Sequence, residues 1–328
     1  MRLAMVGTGG IVHEALDALK PVENIECTAI YGRPHSRDKA VALAADYHIP
    51  QVCTDYDQLL RLPDTEFVYI GLVNSAHYEY ARAALLAGRH VILEKPFAST
   101  AAEANELVRL AVQRGCYLFE AVTLFSLPNF QAIQEVLPRL GRLRMVQCNY
   151  SQYSSRYGRY CQGEVLPVFD PQFSGGALYD INIYNLNFVV GLFGMPKDVH
   201  YTANLGFNGI DTSGVLVLEY EDFTAVCNGA KDSDSPGYLI LQGEKGYIHA
   251  QGAPNALPSF DLVLDGRKQH QELNVHAHRM TDEFIEFADV YGRRDWQRML
   301  DGLQRSLQVM QIAERARQQT GIRFAADR

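Results

Sequence analysis

The chain has 328 residues, 47% of them hydrophobic and 21% charged, with a formal net charge of −8. That is enough apolar side chain to fill two cores, and the acidic balance argues against a nucleic-acid phosphate backbone or an anionic membrane as the main partner. A protein acting on small molecules is expected. No apolar run approaches the ~18 residues that span a bilayer, and the N-terminus runs directly into a strand pattern with no separate signal segment, so the chain reads as cytoplasmic. The cysteines Cys27, Cys53, Cys116, Cys148, Cys161 and Cys227 show no C-x-x-C spacing, which predicts reduced, buried thiols rather than a disulfide framework or a zinc site.

In the first third of the chain, Leu3 to Val6, Cys27 to Tyr31, Phe67 to Leu72 and Val91 to Leu93 read as short buried strands. The segments Ile11 to Leu19, Asp38 to Tyr47 and His77 to Ala87 between them have helical spacing. A βαβ series of this kind closes into a doubly wound parallel sheet of the Rossmann type, with ligands at the carboxyl ends of the strands. The site is therefore expected after Val6, Tyr31, Leu72 and Leu93.

The loop after the first strand is Gly7-Thr8-Gly9-Gly10-Ile11-Val12. Gly7 and Gly9 fit the first two glycines of G-x-G-x-x-G, which permit a tight turn and let the backbone approach a pyrophosphate; Val12 replaces the third. A plain strand-to-helix turn is the other reading. At the end of the second strand, where an NAD enzyme usually has an acidic residue for the ribose, stands Gly32, followed by Arg33 and Arg37. Two guanidinium groups there suit a 2′-phosphate and favour NADP, with NAD as the other candidate, unless they are simply solvated charges.

Beyond residue 120 the pattern changes. Met145 to Tyr150, Val199 to Ala203, Val215 to Tyr220, Thr224 to Cys227, Tyr238 to Gln242 and Asp261 to Leu264 read as strands of a mostly antiparallel open sheet. Helices are expected over Thr281 to Tyr291 and Gln297 to Gln318. The expected organisation is a dinucleotide-binding domain over 1–120 and an α+β substrate-binding and oligomerisation domain over 121–328, its C-terminal helices able to pack back on the first. Helices are too few to cover both faces of the second sheet, which predicts a homo-oligomer, a dimer or a dimer of dimers.

Within Ser174 to Gly194, Gly175 and Gly176 suit the entry of a buried helix on which Asp180, Tyr184 and Asn187 fall at i, i+4 and i+7 and so share a face. That polar stripe is either a site or an internally satisfied hydrogen-bond cluster.

Taken together, the glycine turn, Asn74 and His77 in GLVNSAHYEYA, Glu94-Lys95-Pro96 in HVILEKPFA and the later GGALYDINIY resemble the Gfo/Idh/MocA oxidoreductase family over nearly the whole chain. The chain is most similar to the branch holding the dihydrodiol dehydrogenases and glucose-fructose oxidoreductase. It departs from the wider family in Tyr184, where many members carry His, and in Asn182, where Gly is usual.

The resemblance implies a cofactor site built from Gly7, Thr8, Gly9, Gly10, Ile11, Gly32, Arg33, Arg37, Leu72, Asn74, His77, Glu94, Lys95 and Pro96, and a cis Lys95-Pro96 bond. It also implies a catalytic group of Lys95, Tyr184 and Asp180. Lys95 would donate to the reacting oxygen as alkoxide charge develops, Tyr184 would transfer the proton with its pKa lowered by Lys95, and Asp180 would position the pair. Glu94 is read as an organiser of backbone or cofactor groups, or else as the partner of a neighbouring cation.

The implied activity is hydride transfer between a nicotinamide and a sugar, polyol or vicinal-diol-like alcohol. A catalytically inactive dinucleotide- or sugar-sensing regulator is the alternative, and imine or tetrapyrrole reduction a lesser one. His276 and His278 lack a third ligand at metal-binding spacing, so no metal is expected. The aromatic and basic run QYSSRYGRYCQ reads as a loop over the substrate rather than a nucleic-acid surface.

Overall fold

The computed structural model describes residues 1–327, which divide into two compact units, 1–121 with 278–307 and 122–277 with the chain from 308 onward. The first unit alternates strand and helix: β1 (Arg2–Val6), α1 (Gly10–Leu19), β2 (Glu26–Tyr31), α2 (Arg37–Asp46), β3 (Gln51–Cys53), α3 (Tyr56–Leu60), β4 (Phe67–Ile70), α4 (His77–Leu86), β5 (His90–Glu94), α5 (Ala101–Arg114) and β6 (Leu118–Ala121). The six strands are all parallel, in the order β3-β2-β1-β4-β5-β6. This is a doubly wound sheet, and its central strands are apolar on both faces because helices cover both. All four residues of β4 are buried.

Four of these elements were not anticipated. β3 has three residues, α3 is five residues long, and β6 has Glu120 interrupting its apolar run, so periodicity had little to register there. α5 is marked at its start by a capping box in which Thr100 and Glu103 satisfy each other's backbone N–H groups.

The second unit opens with α6 (Pro128–Val136), β7 (Leu143–Ser151) and α7 (Tyr157–Cys161). A π-helical turn over Leu178–Asn182 then leads into α8 (Ile183–Phe193). The strands β8 (Asp198–Leu205), β9 (Asp211–Glu219), β10 (Thr224–Ala230), β11 (Tyr238–Gly243), β12 (Gly246–Gln251), β13 (Phe260–Leu264) and β14 (Arg267–Gln271) follow. The eight-stranded order is β14-β13-β12-β11-β7-β10-β9-β8, antiparallel except for the β7–β10 pair. The all-polar β14 carries no alternation and is not legible for that reason; β12 alternates only through the two apolar positions Ile248 and Ala250.

The chain closes with α9 (Thr281–Gly292) and α10 (Trp296–Gln319). Within the first unit α9 lies on the parallel sheet: the Thr281 hydroxyl donates to the Ala18 carbonyl at 3.0 Å, and Phe284 and Phe287 pack against Tyr69 and Phe119.

α8 covers one face of the large sheet at its central strands β7 and β10. The other presents Met145, Val215 and Tyr247, each more than 40% exposed. All six cysteines are free thiols, but burial is not uniform: Cys161 is exposed and Cys27 half-buried, because they lie on the small α7 and at the outer end of β2. Among the described residues no helix is long and apolar enough to cross a membrane.

Candidate active site

In the first unit, the carboxyl ends of β1, β2 and β4 converge on a loop cluster. Gly7 donates to the Tyr31 carbonyl at 3.0 Å, Gly32 to the Cys53 carbonyl at 3.1 Å and Gly71 to the Val6 carbonyl at 3.0 Å, so the ladder continues into each glycine turn. Gly7 has φ +122°, and a Cβ on it would lie 2.5 Å from the Gly71 carbonyl oxygen; no other residue fits that turn. Gly9 and Gly10 differ: a Cβ on either would meet no atom within 4 Å. Their surface is an open cradle in front of the α1 N-terminus, whose first turn carries no acidic side chain. Backbone N–H groups and the helix dipole there suit an anion, which is the chemistry a dinucleotide pyrophosphate requires.

Thr8, Ile11 and Leu72 pack among the other glycines of this loop cluster. A Cβ on Gly32 would lie 3.3 Å from Thr8 Cγ2, one on Gly7 would lie 3.3 Å from Leu72 Cδ2, and one on Gly71 would lie 3.1 Å from Ile11 Cγ2. Asn74 opens a short 3₁₀ turn ahead of α4 and is half-buried. Arg33 and Arg37 flank the single turn Pro34–Ser36, exposed on the outer side of the cluster; Arg37 lies 4.0 Å from the neighbouring Asp38, a weak surface pair.

His77 does not face outward. It is fully buried, with Nδ1 2.8 Å from the Pro96 carbonyl oxygen and Nε2 3.2 Å from that of Leu72. Burial drives its pKa down to about 4, so the ring is neutral and has one N–H to give. The shorter contact assigns that proton to Nδ1. His77 therefore ties the loop after β5 to the loop after β4, and its bearing on a cofactor is through those loops.

β5 ends at Glu94, where the ladder gives way to Lys95 and a cis Lys95-Pro96 peptide. The Glu94 carboxylate turns into the core: Oε1 accepts from the Tyr69 hydroxyl at 2.7 Å and Oε2 from the Lys95 backbone N–H at 3.2 Å. Burial raises its pKa, opposed by those donors and by the Lys95 and Arg279 charges. Two further buried acids share its field. Both Glu283 carboxylate oxygens are enclosed without a hydrogen-bond partner, and burial together with the Glu94 charge pushes its pKa well up. Glu120 is half-buried as a residue but its Oε1 is enclosed, and burial raises its pKa to about 7 against donation from Ser306 and Phe97. Tyr69, Glu120 and Glu283 carry no sequence signal, because a single acid in an apolar strand or helix looks like a surface position.

In the second unit the Gly175-Gly176 entry is forced by close approach. A Cβ on Gly175 would lie 2.5 Å from the Pro167 carbonyl oxygen, and Gly176 has φ +100° beside the Asp211 carboxylate. Asp211 caps the following helix from β9, accepting from the Leu178 N–H at 2.6 Å and the Tyr201 hydroxyl at 2.8 Å.

The stripe of Asp180, Tyr184 and Asn187 is only partly retained, because the π turn inserts an extra residue and shifts the register after it. Asn187 is buried and donates to the Ile183 carbonyl at 2.9 Å, within its own helix. The amides that face the sheet are those of Asn182, donating to the Cys227 carbonyl at 3.0 Å, and Asn185, donating to that of Asn228 at 2.8 Å. Tyr184 is 7% exposed, its ring 5.9 Å from that of Tyr150. Asp180 accepts a hydrogen bond from the ammonium of Lys231, a residue with no signal in the sequence.

Among the described residues, one trio brings metal-ligand atoms within 4.8 Å, the half-buried Asp198 and the exposed His200 and Glu219 on β8 and β9, where Arg315 pairs with Asp198. His278 is not part of it; its Nδ1 accepts from the Met280 N–H at 3.3 Å, just ahead of α9.

Residues 1–122 match the family model described as "Oxidoreductase family, NAD-binding Rossmann fold", and residues 130–249 match the GFO/IDH/MocA C-terminal domain. Scyllo-inositol 2-dehydrogenase (NADP(+)) IolU of Bacillus subtilis is 33% identical over all of this chain and 99% of its own length. Trans-1,2-dihydrobenzene-1,2-diol dehydrogenase of Sus scrofa is 30% identical over 67% of this chain and 64% of its own. Of solved structures, the 3-ketoreductase KijD10 of Actinomadura kijaniata superposes with a TM-score of 0.79 at 20% identity, over 97% of both chains. Aldose-aldose oxidoreductase of Caulobacter crescentus superposes at 0.81 and 19%, over 97% of this chain and 98% of that one. These two likenesses concern the fold, whereas the family matches and the end-to-end dehydrogenase relative concern descent. The chain belongs to the Gfo/Idh/MocA family of NAD(P)-dependent oxidoreductases.

Proposed function

We propose that the protein is an NADP-dependent dehydrogenase of polyols or sugars with adjacent hydroxyl groups. The observation that carries this is the end-to-end match to a dehydrogenase whose name specifies an inositol and NADP(+). The open Gly9-Gly10 cradle supports the cofactor, since it leaves room for a pyrophosphate at the α1 N-terminus. When bound, the nicotinamide supplies the hydride acceptor or donor.

The chain's own residues bind and move protons around it. The turn Gly7 to Ile11, with Leu72, Asn74 and Pro96, holds the dinucleotide, while Arg33 and Arg37 take the 2′-phosphate. Glu94 and His77 fix the loop that carries Lys95. Lys95 donates to the reacting oxygen and supplies positive charge as the alkoxide forms; Tyr184 transfers the proton at that oxygen; Asp180 positions the pair. The first unit in this reading binds the dinucleotide, and the second binds substrate and self-associates through the Met145, Val215 and Tyr247 face.

The test is nicotinamide absorbance with NADP+ and NAD+ against scyllo- and myo-inositol, aldoses and simple vicinal diols. Turnover of a polyol or sugar is expected. Tight NADP(H) binding with no turnover on the whole panel would replace the enzyme with a cofactor-sensing regulator. Sedimentation at micromolar concentration is expected to show a dimer or larger.

A further inference from the structure

Three strands of the large sheet end together at one edge. Tyr238 of β11 pairs with Asn149 of β7 on one side and with Gln251, the last residue of β12, on the other. The loop that leaves β12 therefore starts close to Tyr150, whose ring centroid is 5.9 Å from that of Tyr184. Its residues 252–258, GAPNALP, are fastened along the main chain. The Gly252 N–H donates to the Gly237 carbonyl at 2.8 Å, the Thr123 hydroxyl to the Asn255 carbonyl at 2.8 Å, and the Asn129 amide to the Leu257 and Pro258 carbonyls at 2.9 and 2.8 Å. The Asn274 amide donates to the Ala256 and Leu257 carbonyls at 3.3 and 2.9 Å. These bonds hold the fully buried Leu257 at φ +35°, a left-handed conformation that a leucine adopts only where its surroundings impose it.

The Asn255 side chain is the exception in this pinned loop. It is half-buried, its Nδ2 lies 3.4 Å from the Tyr150 hydroxyl, and among the described residues its Oδ1 takes no hydrogen bond. The loop backbone is fixed without help from this amide, so folding has already met the cost of ordering it. An unengaged polar group on a rigid loop beside two phenols is the arrangement of a recognition residue.

We propose that Asn255 is a specificity-determining residue whose Oδ1 accepts a hydroxyl on a substrate carbon other than the reacting one. An amide has no proton to exchange near neutral pH, so Asn255 reads a hydroxyl and does not activate it. The class it selects is a ring polyol or sugar that carries a further hydroxyl at the right place, against the same ring lacking it. The inference rests on the polyol or sugar dehydrogenase reading and deepens it by naming a side chain that selects among such substrates.

The experiment measures kinetics on scyllo-inositol, myo-inositol and glucose, each beside its monodeoxy analogues, for the unmodified enzyme, Asn255→Ala and Asn255→Asp. The bonds that fasten the loop use main-chain atoms of residues 252–258, so Asn255→Ala keeps them and is expected to melt within ~2 °C of the parent. On the preferred substrate it is expected to lose ~5- to 50-fold in kcat/KM, carried by KM, with kcat nearly unchanged and NADP(H) affinity the same. For the unmodified enzyme one monodeoxy analogue is poorer than its parent by about that factor; for Asn255→Ala it is no poorer, because the missing hydroxyl and the missing amide are two halves of one bond. Asn255→Asp keeps the acceptor oxygen and retains most of the discrimination.

Discrimination among the analogues that is the same in Asn255→Ala as in the unmodified enzyme overturns the inference and leaves the dehydrogenase reading standing. So does a lowered melting temperature with kcat and KM both impaired and no recovery in Asn255→Asp, which would make Asn255 a packing residue. Discrimination lost in Asn255→Ala and in Asn255→Asp alike, with both variants stable, would assign the contact to Nδ2 as a donor and overturn the acceptor role. No turnover of any of these polyols and sugars by the unmodified enzyme removes the underlying reading, and the inference with it.

Discussion

Val12 and Gly71 pack against each other where family members normally place a third glycine on the helix: a Cβ on Gly71 would lie 2.9 Å from Val12 Cγ2. The space that lets α1 approach the sheet has moved from the helix to the end of β4. Gly71→Ala is therefore expected to destabilise the chain by about 1 to 3 kcal/mol through overpacking, since Tyr69 and Ile11 close the other sides at 3.0 and 3.1 Å. Adding Val12→Ala should return part of that loss, because the methyl in conflict is removed. Thermal denaturation of the two singles and the double checks it, and additive losses would show that the two positions are not coupled.

The same exchange occurs in the second unit. Asn182 stands where Gly is usual, and the glycine is found opposite, at Gly229 on β10, where a Cβ would lie 2.5 Å from Asn182 Cβ. From the sequence, Val12 and Asn182 read as departures from the family pattern, because the compensating glycines lie 59 and 47 positions away along the chain. What was legible was local: the strand periodicity of β1, β2, β4 and β5, the glycine turn, and the tripeptide Glu94-Lys95-Pro96 at a strand end. What was not legible depends on pairing across the fold. The Tyr69–Glu94 bond, the enclosed Glu283 carboxyl and the Lys231–Asp180 pair each involve residues whose types carry no message until the fold sets their surroundings. The π turn was invisible for a different reason, since one inserted residue leaves the apolar content of a helix unchanged.

Cofactor preference should rest on Arg33 and Arg37. Replacing Gly32 by Asp would be a poor probe, because a Cβ there would lie 3.0 Å from Ala40 Cβ and 3.1 Å from the Ser36 carbonyl oxygen, and strain would mix with charge repulsion. Both arginines are exposed and can be changed without disturbing the core. The Arg33→Gln, Arg37→Gln double variant is expected to bind NADP(H) ~10- to 100-fold more weakly, with NAD(H) unchanged. Fluorescence titration of both reduced cofactors measures this, and a parallel loss for the two would place the arginines elsewhere in the binding process.

Glu120 should make stability depend on pH in a defined direction. Its folded pKa of about 7 lies above its ordinary value of 4.5, so the native state holds the proton more tightly than the unfolded chain does. Its contribution is fully favourable below pH 4.5 and is lost as pH rises through 7, by about 3 kcal/mol in all. Glu120→Gln removes this dependence. Urea unfolding at pH 5 and pH 8 should show the variant gaining on the parent by roughly that amount at the higher pH; curves that keep the same separation at both pH values would mean the carboxyl titrates normally.

Two phenols compete for the role of proton carrier in the second unit, Tyr184 on α8 and Tyr150 on β7, with ring centroids 5.9 Å apart. Tyr150 receives a long bond from the Asn255 amide at 3.4 Å and lies half-buried on β7. Tyr184 follows the π turn that carries Asp180, so the turn fixes both side chains at once. If Tyr184 transfers the proton, Tyr184→Phe loses ~100- to 10,000-fold in kcat with cofactor affinity intact, the range for removing a positioned acid. Tyr150→Phe should lose under ~10-fold, felt mainly in KM, because the Asn255 contact it gives up is long. The ring contact survives in both variants, since each lacks a single oxygen, and melting temperatures should hold within ~2 °C, as expected when no core volume is lost. The reverse ranking, with Tyr150→Phe the more damaging, would transfer the acid role to β7 and leave Tyr184 as the packing partner.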